Sequence, residues 1–389
     1  MDEKVIRILF ALLRCAVFGD PMPEAEKASF SEEMLDSLMR LAKKHDLLHL
    51  AAAGLCQNAL IGKEHPSFPK LQKAQFAAAY RCEQLEYELS RLCGVLEKAR
   101  IPFIPLKGSV LRQYYPEPWM RTSCDIDVLV HGEDLDPAMD ALVQNLQYTA
   151  KEKGTHDVSL FSPGGVHIEL HFDLAEAGYA DGALPLLQKV WDNALPVEKG
   201  AYRLKMSDPF FCFYHVTHMV QHTITGGCGI RPFLDLYILD RMEEADCAGR
   251  DELLAAGGLS RFAEVARQLS RVWFAGEMAD GVTAQMESFV LHGGVYGTAE
   301  NRVALSQEKK GGKAGYFFSR VFVPYDKLKR YYPILEKYPI LTPVMQVRRW
   351  GMLLRPEVAG MAKAEIAANR RTDKAKAKEM NRFLRDIGL

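Results

Sequence analysis

The spacing of apolar residues changes twice along the chain and divides it into three parts. In the first part, up to about residue 97, apolar side chains recur three and four positions apart, which is the spacing of amphipathic helices. The clearest examples are residues 5–18 and 71–99. Arg7 and Arg14 interrupt the first example, which follows an acidic start. It therefore predicts a core helix, and neither a signal peptide nor a membrane span.

The middle part changes to short apolar runs that predict strands. Residues 101–106 predict a short strand near a sheet edge, because the two prolines there cannot donate ladder hydrogen bonds. Residues 125–130 predict a buried strand, and residues 134–146 predict an amphipathic helix. The runs 156–162 and 166–172 flank a Pro-Gly-Gly turn and predict a β-hairpin.

Helical spacing returns in the last part, for example at 208–221 and 233–242. The predicted fold class is therefore α+β, a small mixed β-sheet core flanked by N-terminal and C-terminal helical regions. The predicted parts are a helical N-terminal region, the sheet core, and a helical C-terminal region with a basic tail: 1–97, 98–205 and 206–389.

Cysteine usage and charge narrow the class of protein. The 8 cysteines are scattered without a C-x-x-C pair, which is typical of thiols in a reducing compartment and predicts a cytoplasmic protein without a zinc framework. The net charge is −1, but from Arg302 onward there are 20 Lys or Arg against 8 Asp or Glu. Basic segments often meet phosphates. The alternative is solvated helix surface attracted to the acidic remainder of the chain.

Three carboxylates on predicted strands are the candidate chemistry. Asp125 and Asp127 are one residue apart, so both project from one strand face while Ile126 and Val128 face the core. Two such charges repel by about 4 kcal/mol at 4 Å and an effective dielectric of 20, and a divalent metal is the usual compensation. The alternative is an exposed face with solvated acids. Glu169, the third candidate carboxylate, shares one face of a later predicted strand with His167 and His171. The alternative is that Glu169 only forms a salt bridge with a nearby Lys or Arg.

A turn upstream of these acids suits a phosphate. Lys107-Gly108-Ser109 stands where a predicted strand meets a helix, and glycine allows close backbone approach. The Ser109 hydroxyl could donate to a phosphate, or it could only cap the helix.

The three motifs in order, Lys107-Gly108-Ser109, Asp125-x-Asp127 and Glu169 on a later strand, resemble the DNA polymerase β-like nucleotidyltransferase superfamily. More narrowly, residues 100–172 resemble the bacterial family of uncharacterised nucleotidyltransferases. The resemblance implies that Asp125, Asp127 and Glu169 are catalytic and bind two ions of Mg²⁺, or of Mn²⁺. It further implies that Lys107, Gly108, Ser109 and Arg121 bind a nucleoside triphosphate, for which ATP is one candidate.

The implied reaction moves a nucleoside monophosphate to a hydroxyl acceptor with release of pyrophosphate. Glu169 would help to deprotonate that hydroxyl, and His171 would support the site. The acceptor stays open: a small molecule, a protein side chain or an RNA end. If the third carboxylate lies elsewhere, Asp173 and Glu176 are the next candidates. The alternative is a function of a different class: a non-catalytic nucleotide- or RNA-binding protein that retains the fold. The basic C-terminal region supports this hypothesis.

Four residues further along are expected to line the cleft. His215 and His218 are three apart and share a helix face, but no nearby cysteine or acid completes a zinc site. Arg231 and Asp235 are one helical turn apart, and we expect them to pair with each other. Arg121 either contacts the triphosphate or pairs with Asp125 and Asp127.

Overall fold

The structure is a computed structural model that describes five stretches of the chain: residues 2–175, 182–295, 297–307, 310–352 and 356–389. It divides into two compact units of two segments each: Met1–His218 with Ile230–Thr283, and Met219–Gly229 with Ala284–Leu389. The three-part division drawn from the sequence stays a prediction. Of the helices that the structure describes, none is both long enough and apolar enough to cross a bilayer.

The N-terminal part is helical, as its spacing predicts. Its helices are α1 (Glu3–Phe18), α2 (Glu24–Ser29), α3 (Glu32–Lys44), α4 (Leu48–Gln57) and α5 (Phe68–Ala99). The Asp2 side chain caps α1 by accepting from the backbone N–H of Lys4 at 2.9 Å. Helices α1 and α4 pack so closely that a Cβ on Gly54 would lie 2.5 Å from the carbonyl oxygen of Leu12. Only glycine suits that contact.

A mixed five-stranded sheet follows, with the order β1-β2-β5-β4-β3. Its strands are β1 (Phe103–Pro105), β2 (Asp125–Val130), β3 (Thr149–Lys153), β4 (Asp157–Phe161) and β5 (His167–His171). The predicted edge strand, buried strand and hairpin are confirmed as β1, β2 and the β4–β5 pair. Strand β3 was not predicted, because Thr-Ala-Lys-Glu-Lys has no apolar alternation. Strands β2 and β5 run parallel, which places the two acidic segments side by side.

Between the strands and after them come α6 (Lys107–Leu111), α7 (Leu135–Leu146), α8 (Leu184–Leu187), and a small antiparallel pair, β6 (Ala194–Pro196) and β7 (Leu204–Met206).

Helices α5 and α7 cover one face of the five-stranded sheet. Ile126 and Val128 of β2, with Ile168 and Leu170 of β5, form a buried core with leucines of α5 and α7. The alternate residues of both strands therefore project from the opposite face.

Helices complete the chain. They are α9 (Asp208–Ile224), α10 (Arg231–Leu239), α11 (Cys247–Ala256), α12 (Ser260–Ala275), α13 (Gly281–Gly293), α14 (Ala299–Gln307), α15 (Gly312–Val321), α16 (Tyr325–Tyr331), α17 (Ile334–Lys337), α18 (Thr342–Met352), α19 (Pro356–Arg371) and α20 (Lys374–Asp386). In the first unit, Trp273 of α12 stacks on Phe10 of α1, with ring centroids 4.6 Å apart. In the second unit, Val303, Tyr316 and Ala368 form a small core between α14, α15 and α19.

Candidate active site

The register of β2 and β5 sets the positions of the acids. Asp125 lies beside His167 and Asp127 beside Glu169 in the parallel ladder, and apolar residues alternate with them. All four therefore project from the face that α5 and α7 leave uncovered. The predicted common face of Asp125 and Asp127 is confirmed, since Ile126 and Val128 lie in the core.

Histidines join the acids in two groups that could hold a metal ion. One is Asp125, His167 and Glu169, and the other is Asp127, Glu169 and His171; within each, the candidate ligand atoms lie within 4.8 Å of one another. Glu169 belongs to both groups. His171 Nε2 lies 3.4 Å from Asp127 Oδ1 and 3.5 Å from Glu169 Oε2, so it bridges the two carboxylates.

Crowding of like charges perturbs the pKa values of this cluster. Burial, with the neighbouring charges of Asp127 and Glu169, raises the pKa of Asp125 to about 6. Burial also works to raise the pKa of Asp127, but the hydrogen bond with His171 and the charge of Lys107 outweigh it, and the pKa is lowered. For His171 burial opposes the charge, yet its hydrogen bonds to Asp127 and Glu169 raise the pKa to about 10. The cluster attracts positive charge.

The Lys107-Gly108-Ser109 turn lies against β2. The backbone N–H of Leu106 donates to the carbonyl of Asp127 at 2.9 Å, which fixes the start of α6 beside the acids. Helix α6 begins at Lys107, with Leu106 at its N-cap position. The interpretation of Ser109 as an N-cap is therefore wrong. Its buried Oγ has no hydrogen-bond partner among the residues that the structure describes.

Glycine at position 108 is not required by the protein itself. The backbone of Gly108 does not have a positive φ. A Cβ there would meet Ser123 at 3.5 Å, an ordinary contact distance. Lys107 Nζ contacts His218 Nε2 in α9, and its charge opposes the rise in the pKa of Asp125 and helps to lower the pKa of Asp127. The lysine therefore belongs to the acid cluster.

Arg112 is a positioning residue that the sequence did not reveal. It is 1% exposed, and its Nε donates to the carbonyl of Gly108 at 3.2 Å. Its Nη2 donates to Ser123 Oγ at 2.7 Å, and its Nη1 lies 3.1 Å from Glu86 of α5. One guanidinium thus joins the turn, the segment before β2 and the long helix. The Arg and Glu are visible in the sequence, but nothing there says that they meet.

Arg121 is held by Asp235. Its Nε and Nη2 donate to the two carboxylate oxygens at 3.1 and 2.9 Å, and the Tyr115 hydroxyl adds a third hydrogen bond at 2.8 Å. Asp235 is fully buried. The expected Arg231–Asp235 pair is wrong: Arg231 instead pairs with Asp46 at 2.9 Å. Arg231 and Asp235 are one helical turn apart, but the loop before β2 brings Arg121 to the Asp235 carboxylate instead.

The other predicted residues are distributed around this network. His215 is buried and donates from Nε2 to the carbonyl of Pro232 at 2.9 Å, and burial lowers its pKa. Arg231 also donates to the carbonyl of Thr122 at 2.9 Å. Asp173 accepts from the backbone N–H of Ala175, and Glu176 lies outside the described residues. A direct contact of Arg121, His215, Arg231 or Asp235 with substrate stays a prediction.

The comparison with protein families agrees with this geometry. A model of a family described as uncharacterised nucleotidyltransferase matches residues 31–275 of the 389, well over half of the chain. The chain belongs to this family. It is therefore a transferase of nucleotidyl groups. No curated protein matches the chain, and no solved structure matches it either.

Proposed function

We propose that this nucleotidyltransferase moves a nucleoside monophosphate from a nucleoside triphosphate to a hydroxyl acceptor, with Asp125, Asp127 and Glu169 as its catalytic carboxylates. One observation carries the proposal: three acids from two parallel strands meet on one open sheet face and form two ligand groups that share Glu169. That arrangement concentrates negative charge, which His171 and Lys107 offset in part, so it favours the binding of further cations.

The donor set suits Mg²⁺ or Mn²⁺. Carboxylate oxygens are the ligands these ions prefer, and the shared Glu169 allows two ions. His171 spans Asp127 and Glu169 and orients both, the role that an outer hydrogen-bonding partner takes at a metal site. When bound, two divalent ions would stabilise charge on the attacking and leaving oxygens of an in-line displacement.

The turn at Gly108 supports the triphosphate side of the proposal. Neither the conformation nor the packing within the protein demands glycine there, and a glycine lets a ligand approach the backbone closely. Lys107 brings a cation to the same place and binds the phosphates together with Gly108 and Ser109. Arg112 holds the turn by its bond to the carbonyl of Gly108.

We assign the activation of the acceptor hydroxyl to Glu169. Its side chain is 30% exposed, whereas that of Asp127 is 10% exposed. Glu169 can therefore be reached by a hydroxyl from solvent, from which it would take the proton. The hydroxyl oxygen then forms a bond to the α-phosphorus, and the bond to pyrophosphate breaks.

We also propose that the protein is cytoplasmic, as its scattered cysteines predict.

Calorimetric binding of a non-hydrolysable triphosphate, with and without Mn²⁺ or Mg²⁺, tests the site. We expect binding that requires metal and that is lost in Asp125→Asn. Asp136→Asn, which changes an exposed acid of α7, is the matched control and should bind normally. Labelled triphosphates incubated with metabolite, peptide and RNA pools then test for turnover. Metal-independent binding, or equal loss in both variants, would refute the assigned site.

The alternative, a nucleotide- or RNA-binding protein without catalysis, rests on the basic residues after Arg302. It predicts normal binding without product for every triphosphate and every acceptor class. The partial exposure of Glu169 beside the buried Asp127 favours catalysis, because binding alone needs no base open to an acceptor.

A further inference from the structure

The second unit exposes many large apolar side chains in one short segment. They lie on α15 to α18 and on the short turn before α18, and with their exposed fractions they are Phe317 (44%), Phe318 (57%), Phe322 (53%), Tyr331 (73%), Ile334 (48%), Tyr338 (47%), Ile340 (86%), Val344 (56%) and Val347 (60%). Half of the exposed large hydrophobic residues that the structure describes fall in this stretch. Such concentration marks an interaction surface. We call these nine residues, together with the exposed cations Lys337 and Arg348 beside them, the basic apolar surface.

Helix α18 shows that the exposure has a direction. One side of it is fixed to the end of α15 and the residues that follow: Gln346 donates to the carbonyl of Val323 at 2.5 Å, and Trp350 Nε1 to that of Val321 at 2.8 Å. Val344 and Val347 are three residues apart in this helix and are 56% and 60% exposed, and Ile340 in the turn before it is 86% exposed. The helix is therefore anchored to its neighbour while these aliphatic side chains face solvent.

Helix α15 extends the same surface with aromatic rings. Its other side is occupied, since buried Tyr316 donates to Glu365 of α19. Phe317 contacts Phe318 and Phe318 contacts Phe322, with ring centroids 5.9 and 6.4 Å apart. Phe322 in turn meets Trp350 of α18 edge to face at 5.6 Å. The aromatic rings therefore form one continuous row between the two helices.

The same segment is strongly basic. Residues 311–350 hold 8 Lys or Arg against 2 Asp or Glu. Lys337 and Arg348 are exposed and lie over the rings of Tyr338 and Tyr332, at 5.6 and 5.7 Å. Rings do not neutralise these cations as carboxylates would. Apolar side chains and an excess of positive charge thus occur together, even though Arg320 and Lys329 pair with Glu365 and Asp326.

We propose that the basic apolar surface binds the face of an anionic lipid bilayer, with its apolar side chains at the level of the headgroups. Apolar burial and cationic attraction are the two contributions that interfacial binding combines. RNA fits less well, because Ile340, Val344 and Val347 have no flat face on which a base could stack. A second copy fits less well too, since a two-fold interface would bring two like-charged surfaces together.

Vesicle sedimentation of the full chain tests the proposal, with neutral phosphatidylcholine vesicles against vesicles containing phosphatidylglycerol. We expect binding to the anionic vesicles only, weakening as salt is raised. The double variant Ile340→Asp/Val347→Asp should not bind. Met278→Asp, which places one such aspartate at a 90% exposed methionine of the first unit, should bind like the wild type.

Neutralising the cations separates charge from apolar contact. Lys337→Gln with Arg348→Gln should weaken binding by about 25-fold, or about fivefold per cation, while the exposed Lys70→Gln should change nothing. Equal binding to neutral vesicles, or to neither kind, would overturn the proposal. So would RNA binding without vesicle binding, or a dimer that Val347→Asp dissociates. Circular dichroism of each variant verifies the fold, and these side chains are exposed enough to be replaced without unfolding it.

Discussion

The buried Arg121–Asp235 pair gives the sharpest test of how the site is held. Asp235 is fully buried and accepts three hydrogen bonds, two from Arg121 and one from Tyr115. Arg121→Met would leave that carboxylate without its counter-charge. Removing one partner of a buried pair costs about 3–5 kcal/mol of unfolding free energy. For a unit of this size the melting temperature should fall by roughly 6–20 °C.

The double variant Arg121→Met/Asp235→Leu removes both charges. Since replacing a whole buried pair by apolar residues is often neutral, we expect it to recover most of the lost stability. Activity then distinguishes two roles of Arg121. If it only positions the loop before β2, the double variant should recover turnover together with stability. If its guanidinium contacts the triphosphate, KM should stay raised in a protein that melts normally.

The assay is thermal unfolding and steady-state kinetics on the two single variants and the double variant. Asp46→Asn serves as a control, because it removes the exposed partner of Arg231 and should cost no more than about 1 kcal/mol. A single variant Arg121→Met with unchanged stability would refute the reasoning. The double variant melting below both single variants would refute it as well, because the two losses would then simply add.

The same pair predicts a pH dependence of stability. Burial works to raise the pKa of Asp235, but the charge and hydrogen bonds of Arg121 outweigh it and lower the pKa below its ordinary value. A carboxylate with a lowered folded-state pKa contributes stability above the unfolded pKa of about 3.9 and loses it as pH falls further. The wild type should therefore lose more stability than Asp235→Asn between about pH 4 and pH 2, as equilibrium denaturation can measure.

Three further predictions concern the acid cluster and the turn. In metal-free buffer at pH 7, Asp125→Asn should raise the melting temperature and Asp127→Asn lower it, because the pKa of Asp125 is raised and that of Asp127 is lowered; shifts of the same sign would contradict this. Glu169→Gln should keep triphosphate affinity in calorimetry but lose about 100- to 10,000-fold in single-turnover rate; parallel loss of both would mean that Glu169 organises the whole pocket. Gly108→Ala should gain about 0.5–1 kcal/mol in denaturation and lose triphosphate affinity; unchanged affinity would remove Gly108 from the phosphate site.

Local periodicity was enough to predict the parts of the site that depend on one strand or one hairpin. Alternation fixed the common face of Asp125 and Asp127, and the Pro-Gly-Gly turn fixed the hairpin that carries Glu169. The highly charged β3 was missed because an exposed edge strand needs no apolar alternation. Its pairing with β4 comes from backbone hydrogen bonds, which leave no mark in a side-chain pattern.

Long-range ion pairs could not be predicted, because the sequence shows the charges but not their distances in space. Arg121 and Asp235 are 114 positions apart, and Asp235 has another arginine only four positions away. Spacing alone favoured the wrong pair. The Arg112–Glu86 pair could not be predicted for the same reason, because these residues meet only where α5 lies against the turn. Both pairs fix the segment between the turn and β2, so the missed contacts are those that position the site.

The turn itself departs from what folding alone would select. A glycine within α6 costs stability, and nothing in its φ or its neighbours repays that cost. The buried Ser109 hydroxyl lacks a partner among the described residues, which is also unfavourable. Two neighbouring residues that each weaken the fold are expected where a ligand returns the lost interactions. The pair lies beside the acid cluster, and we therefore propose that a metal-bound triphosphate supplies the interactions that the protein lacks there.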